Sequence, residues 1–164
     1  MILLNSVLVA TDFGETSASA LAYGRNLARA FGGKLHVLHV AEKVTATAAA
    51  EFYLQDRDDL QRAVEEAAAL RLMALLTTDD LKTLGTQPEV RVSSDAARTI
   101  VEYAKATHVD LIVVGTHGRG GVSRLMMGSV AEKVVRTAPC PVLVVRPNEH
   151  EFIVPDPVRA HARI

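Results

Sequence analysis

One stretch of this 164-residue chain carries residues whose types and spacing could do chemistry together. It runs from Asp110 to Ser129. Gly115, Gly118, Gly120, Gly121 and Gly128 punctuate it, with Arg119 and Arg124 between them. Ahead of Gly115 stands Leu111 to Val114, a short apolar run that is mostly β-branched and reads as a strand buried on both faces. Behind Gly128-Ser129, apolar residues return at helical spacing: Val130, Ala131, Val134 and Val135. The order is strand, glycine-rich loop, helix N-terminus.

That order suits an anion. The first N–H groups of a helix lack intrahelical partners, and the macrodipole adds partial positive charge there. Glycines let backbone N–H groups approach an anion without a Cβ in the way. A serine at the helix start can cap the helix or hydrogen-bond a phosphate oxygen. The plainer alternative is a tight connection in which the glycines only turn and Ser129 only caps. Two common phosphate loops are excluded. G-x-x-x-x-G-K-[ST] is absent. G-x-G-x-x-G is incomplete, because Ser123 follows Gly118-Arg119-Gly120 where the third glycine should stand. His117 is the one base beside the loop, and it serves equally as an ordinary surface residue.

A second candidate lies near the N-terminus. Asn5 to Ala10 reads as the first strand, and Thr11-Asp12-Phe13-Gly14 ends it. Asp12 therefore sits at the carboxyl end of a buried strand, where open α/β sheets place ligand-binding groups. Capping the next helix, or holding the turn, is the competing role.

The elements that position these stretches alternate. Thr16 to Phe31 reads as a helix, with Ala20, Leu21, Gly24, Leu27, Ala28 and Phe31 on one face. Thr16 or Ser17 would cap it, and Gly32-Gly33 ends it. Lys34 to Val40 is the second strand. His36 and His39 are three apart, so they point to opposite faces and make no paired metal site. Ala41 to Thr86 is alanine-rich, and Asp56 to Leu76 is its clear helix, with Leu60, Ala63, Val64, Ala67 and Leu75 inward. Ala46 to Ala50 fits helix or loop equally. Asp58-Asp59 falls in a helix's opening turn, where negative charge suits the dipole, and Asp79-Asp80 falls in a polar turn. Neither pair is read as catalytic. Glu89 to Val92 is the third strand, and Ser93-Ser94-Asp95 offers caps for a helix over Ala96 to Thr107. After Pro139-Cys140-Pro141 comes Val142 to Val145, the fifth strand, which its prolines favour as an edge. The alternation implies a parallel sheet with helices on both faces.

Composition sets bounds. The length fits one domain over residues 1–147, followed by a tail over 148–164 that contains Pro155 and Pro157. The chain is 49% apolar with no Trp, so Ala, Leu and Val carry the core. A net charge of −1 advertises no nucleic-acid surface. The single cysteine, Cys140, makes no internal disulfide and fits a reducing compartment as a packing residue. No basic leader opens the sequence, and no apolar run approaches the roughly 18 residues of a membrane span. A cytoplasmic protein without membrane contact is expected.

The glycine spacing carries one further implication. Gly115, two residues, Gly118, nine residues and Gly128-Ser129 resembles the ATP-binding signature of the universal stress protein family. The resemblance spans Asn5 to Arg146. It implies a Rossmann-like, doubly wound sheet of five parallel strands in the order 3-2-1-4-5. In that order the chain restarts beside strand 1, and a crevice opens between strands 1 and 4. Asp12 and Gly115 end those two strands. The resemblance further implies that Asp12, with Thr11 as a looser neighbour, and Val40 receive the adenosine of ATP. Val114 and Gly115 would pack on the adenine and ribose. Gly118, Gly128, Ser129 and the N–H of Val130 would cradle the phosphates. Arg119 and Arg124 reach the outer phosphates or stand solvated. A bridging Mg2+ is compatible with this arrangement, and so is AMP or another adenosine ligand.

Three functions compete at this point. One is a regulatory nucleotide-binding module of the stress response. Another is a slow ATP hydrolase or phosphate-transfer enzyme. The third is a stress interaction protein that binds no nucleotide; family members of that kind lack the glycine signature. The uncharged edge strand Val142 to Val145 also suggests a homodimer, since exposed edges must be paired or guarded.

Overall fold

The computed structural model describes residues 1–45, 57–116 and 127–146. The expected tail, Ala46 to Ala50, and the loop residues His117, Gly118, Arg119, Gly120, Gly121 and Arg124 lie outside the described residues.

The elements are β1 (Ser6–Ala10), α1 (Glu15–Phe31), β2 (Lys34–Ala41), α2 (Arg57–Ala74), α3 (Thr78–Thr83), β3 (Gln87–Val92), α4 (Ala96–Thr107), β4 (Leu111–Gly115), α5 (Ser129–Thr137) and β5 (Val142–Val145). The five strands form one sheet in the order β3-β2-β1-β4-β5. All pairings are parallel, with Val7 opposite Leu35 on one side and Leu111 on the other. Alternation along each strand feeds two cores. Val7, Val9, Leu35, Val37 and Val113 pack under α1 and Leu72 of α2. Leu8, Leu38, Ile112 and Val114 pack under Ala97, Ile100 and Ala104 of α4 and Ala131 and Val134 of α5. His36 and His39 take opposite faces as their spacing requires: His36 Nδ1 lies 3.0 Å from the Tyr103 hydroxyl, and His39 Nδ1 lies 2.8 Å from the Thr11 carbonyl oxygen.

Several elements depart from expectation for identifiable reasons. Gly14, not Thr16 or Ser17, occupies the N-cap of α1. Ser17 is instead inside the first turn, where its hydroxyl donates to the Gly14 carbonyl and meets Thr11 Oγ1. Phe31, the last residue of α1, overhangs the sheet and is 46% exposed. In α2 the buried residues are Ala68 and Leu72, with Leu60 and Val64 half-buried, as is Leu75 just after the helix; Ala63 and Ala67 are exposed. An alanine-rich helix offers little contrast between its faces, so its rotation was ambiguous by one position. β3 starts at Gln87 and includes Pro88, which an edge strand tolerates on its unpaired side. In α5, Val130 and Val135 are 42% and 45% exposed, leaving Ala131 and Val134 as its buried stripe.

The largest departure is Asp80. It lies in the first turn of α3, not in a polar turn, and its side chain is fully buried. Its carboxylate takes both arms of Arg25 from α1, at 2.6 and 2.8 Å, and the Thr77 N–H at 2.8 Å. Thr77 Oγ1 accepts from the Asp80 N–H in return, a reciprocal capping box. Burial alone would raise the Asp80 pKa. The Arg25 guanidinium and the Thr77 bonds outweigh it and hold the carboxyl below the ordinary aspartate value.

Removing one member of such a pair strands the other charge. Arg25→Leu should therefore destabilise the fold by about 3–5 kcal/mol, read from urea unfolding at neutral pH. Because the Asp80 pKa is depressed in the fold, the pair's contribution is present above the unfolded aspartate range and fades as pH falls through it and below. The gap between wild type and variant should narrow correspondingly in acid. A gap unchanged from neutral pH to strong acid would refute the charged pair.

Candidate functional site

The site lies on the carboxyl edge of the sheet, where β1 and β4 run side by side and their chains depart in opposite directions. Two groups of expected residues meet there. Asp12 and Val40, at the ends of β1 and β2, line one cleft of about 510 Å³ with Phe13, His39, Glu42, Val64 and Arg71. Its volume falls within the roughly 300–1,000 Å³ of ligand pockets. Its walls are largely apolar, and Asp12, His39, Glu42 and Arg71 supply its polar groups. Ala96, the first residue of α4, also borders it.

The second group surrounds the end of β4. Thr116 donates its N–H to Val145 O at 2.9 Å, and its own carbonyl accepts from the Gly128 N–H at 2.6 Å. Thr116, the residue after β4, and Gly128, the residue before α5, are thereby tied together. Gly115, Gly128, Ser129 and Val130 stand around that tie. The Gly128 N–H serves the tie. The N–H groups of Ser129 and Val130 belong to the first turn of α5, which has no intrahelical acceptor for them. The α5 N-terminus also carries no side-chain cap on Gly128.

Not every expected side chain points at a ligand. Thr11 is buried, and its hydroxyl accepts from the Phe13 N–H at 3.0 Å and meets Ser17 Oγ at 3.0 Å. Val114 is buried in the core beneath α4 and α5. Gly115 has a structural reason of its own: a Cβ there would lie 2.7 Å from Thr16 Cγ2 and 2.9 Å from the Thr16 carbonyl carbon. The first turn of α1 sits directly on the end of β4. Asp12 uses Oδ1 to accept from the Gly14 N–H at 3.0 Å, so the turn and the cleft share one carboxylate.

Residues the sequence reading missed come from the turn after Asp12 and from α2. Phe13 has φ +65°, rare for a bulky side chain. Its ring stacks on His39 at 4.3 Å between centroids, and the Arg71 guanidinium lies 4.2 Å above it. Position beside Asp12 was the only signal for Phe13, and Arg71 had none. Nearby, Lys133 of α5 donates to Asp95, the N-cap of α4, at 2.5 Å. That bond and the Arg98 N–H hold the Asp95 carboxyl below its ordinary range. Burial raises the Cys140 thiol, as suits a packing residue.

The family model described as universal stress protein family matches residues 4–146. The chain belongs to the universal stress protein family. A universal stress protein of Thermus aquaticus is 33% identical over 144 residues, covering 88% of this chain and all of that one. The solved universal stress protein UspA of Lactobacillus plantarum superposes with a TM-score of 0.69 at 26% identity, covering 89% of this chain and all of that one. Another solved universal stress protein, in complex with cAMP, superposes at 0.56 with 25% identity, covering 88% of this chain and 98% of that one. Both solved relatives carry the sheet described above. Among the described residues of this universal stress protein, no helix is long and apolar enough to cross a membrane.

Gly115→Ala should cost about 1–3 kcal/mol in thermal unfolding without any ligand, because α1 must lift from β4. An unchanged melting temperature would show that Thr16 yields and that the glycine answers to something else.

Proposed function

We propose that this protein is an ATP-binding regulatory module of the cytoplasmic stress response, not a fast enzyme. The observation that carries the reading is the convergence of Asp12 and Val40 on one cleft, beside the strand end where the glycine-signature segment is tied. Asp12 and Val40 would receive the adenosine. Ser129, the Val130 N–H and Gly118 would hold phosphate, with Gly128 keeping their backbone in place. Arg119 would meet the outer phosphates, and Mg2+ would neutralise their charge. Support for an adenosine ligand comes from the relative in complex with cAMP. AMP or a cyclic nucleotide would satisfy the same cleft.

Titration calorimetry with ATP and magnesium should give micromolar-range binding and a raised melting temperature, since a ligand bound only by the native state stabilises it. Asp12→Asn should weaken binding about tenfold or more, the usual cost of losing a charged hydrogen-bond acceptor. Absence of both heat and melting shift would sink the reading.

The protein is further proposed to be a homodimer joined through β5. This strand is a sheet edge, and its sequence Val-Leu-Val-Val carries no charge. Pairing two such edges about a two-fold axis would satisfy their free backbone groups. The exposed Val130 and Val135 lie on α5, the helix that packs against β5, and add apolar surface for a second copy to cover. Light scattering at high micromolar concentration should give twice the chain mass. Val144→Lys should halve it while circular dichroism stays native. A wild-type monomer would overturn the dimer.

A further inference from the structure

Phe13 is held where a phenylalanine backbone does not rest by itself, with φ +65°. Such strain persists only where surrounding contacts over-determine it. Several such contacts surround it. The Phe13 N–H donates to Thr11 Oγ1, and the Gly14 N–H donates to Asp12 Oδ1. The Phe13 ring lies against His39, 4.3 Å between centroids and tilted by 39°, and the Arg71 guanidinium lies over the ring, 4.2 Å from its centroid. His39 is itself fixed, its Nδ1 lying 2.8 Å from Thr11 O. The turn residues and His39 belong to β1, β2 and the connection into α1. Arg71 belongs to α2, across the cleft, and all four of Asp12, Phe13, His39 and Arg71 line that cleft.

A guanidinium over a ring face is attracted by the ring's quadrupole. Here that attraction ties the Phe13 ring to α2, beside its contact with His39, and Asp12 stands on the same stretch of backbone. Asp12 is one residue from the strained position, and its carboxylate closes the same turn through Gly14. Any relaxation of Phe13 toward negative φ would rotate the Asp12–Phe13 peptide and carry the carboxylate with it.

We propose that Arg71 is a positioning residue for the adenosine end of the ligand: by clamping Phe13 against His39 it fixes the turn that presents Asp12 to the cleft. The proposal rests on the nucleotide-binding reading above. An ionised carboxylate only accepts hydrogen bonds, and the donors on an adenine nucleoside are its ribose hydroxyls and exocyclic amine. A displaced carboxylate therefore loses a directional bond, while apolar contacts to the base persist.

Arg71 is exposed at the cleft wall, so its replacement should leave the fold intact. Arg71→Ala should weaken ATP binding about threefold, the scale of an exposed cation–π contact, and Arg71→Lys, which keeps a cation over the ring, should restore most of it. In an Asp12→Asn background, Arg71→Ala should cause no further loss, because Arg71 acts through Asp12. An equal loss in both backgrounds, or no loss in either, overturns the proposal. A second readout needs no ligand. In the free protein, Arg71→Ala should move the Gly14 amide resonance and speed its hydrogen exchange, since that N–H is bonded to Asp12. An unmoved Gly14 amide overturns the positioning role whatever ATP does. A moved amide in a protein that binds no ATP sinks the nucleotide reading and leaves the clamp standing.

Discussion

The close seat of α1 on the sheet is the constraint on which the rest depends. Two glycines allow it. A Cβ at Gly24 would overlap Val9 Cγ2 beneath the middle of the helix, and a Cβ at Gly115 would press on the backbone of Thr16 at its first turn. The helix is therefore pinned over β1 and β4 at both points. With α1 so low, its N-terminus and the turn that precedes it lie flush with the strand ends. Thr11, Asp12 and Phe13 are forced into a compact turn, closed by side-chain hydroxyls and a carboxylate. A helix standing an ångström higher would leave that turn slack and the Asp12 carboxylate undirected.

The other side of α1 is anchored by charge. Arg25 reaches from the helix to the buried Asp80, and its second nitrogen also donates to the Leu75 carbonyl after α2. The one guanidinium thus binds α1 to the connection between α2 and α3. This matters for the cleft, because α2 forms its outer wall through Val64 and Arg71. α2 meets the sheet along a narrow stripe, with only Ala68 and Leu72 of its residues fully buried. The Arg25 anchor at its carboxyl end adds to that packing. A comparable device joins β1 to β4 at the opposite edge, where Asp110 accepts from the Asn5 and Ser6 N–H groups at 2.7 and 3.0 Å.

What the sequence made legible was everything governed by period and punctuation. The cores of β1, β4 and β5 are short apolar runs rich in Val, the α4 face repeats at helical spacing, and the alternation of strand and helix implies parallel pairing. Strand order followed from a resemblance in the glycine spacing, not from periodicity. The illegible parts share a physical cause, which is contact between residues distant in sequence. Asp80 looks like any acidic turn residue until Arg25, from another helix, arrives beside it. Arg71 is one cation on an alanine-rich helix whose rotation the pattern does not fix. The left-handed backbone of Phe13 contradicts local preference and is imposed by its neighbours. At the cleft, Asp12 was singled out by its place at a strand end and Val40 by the family resemblance, and the outer wall was not, because α2 has no signal for what it faces.

This division bears on how such a site would respond to a ligand. The cleft is built from elements of different stability: β1 and β2 from the fully buried centre of the sheet, and α2 from a helix that meets the sheet narrowly. A nucleotide seated as proposed would touch both, and also the α5 start beyond the Thr116–Gly128 tie. Its binding free energy would then favour whichever disposition of α2 and α5 closes on it, and by linkage any partner that prefers that disposition would bind more tightly in its presence. The coupling requires no chemistry on the phosphates. Among the described residues, Asp12, Glu42, the apolar walls and the first-turn N–H groups of α5 are groups that can hold and orient a nucleotide, so occupancy alone would carry the coupling.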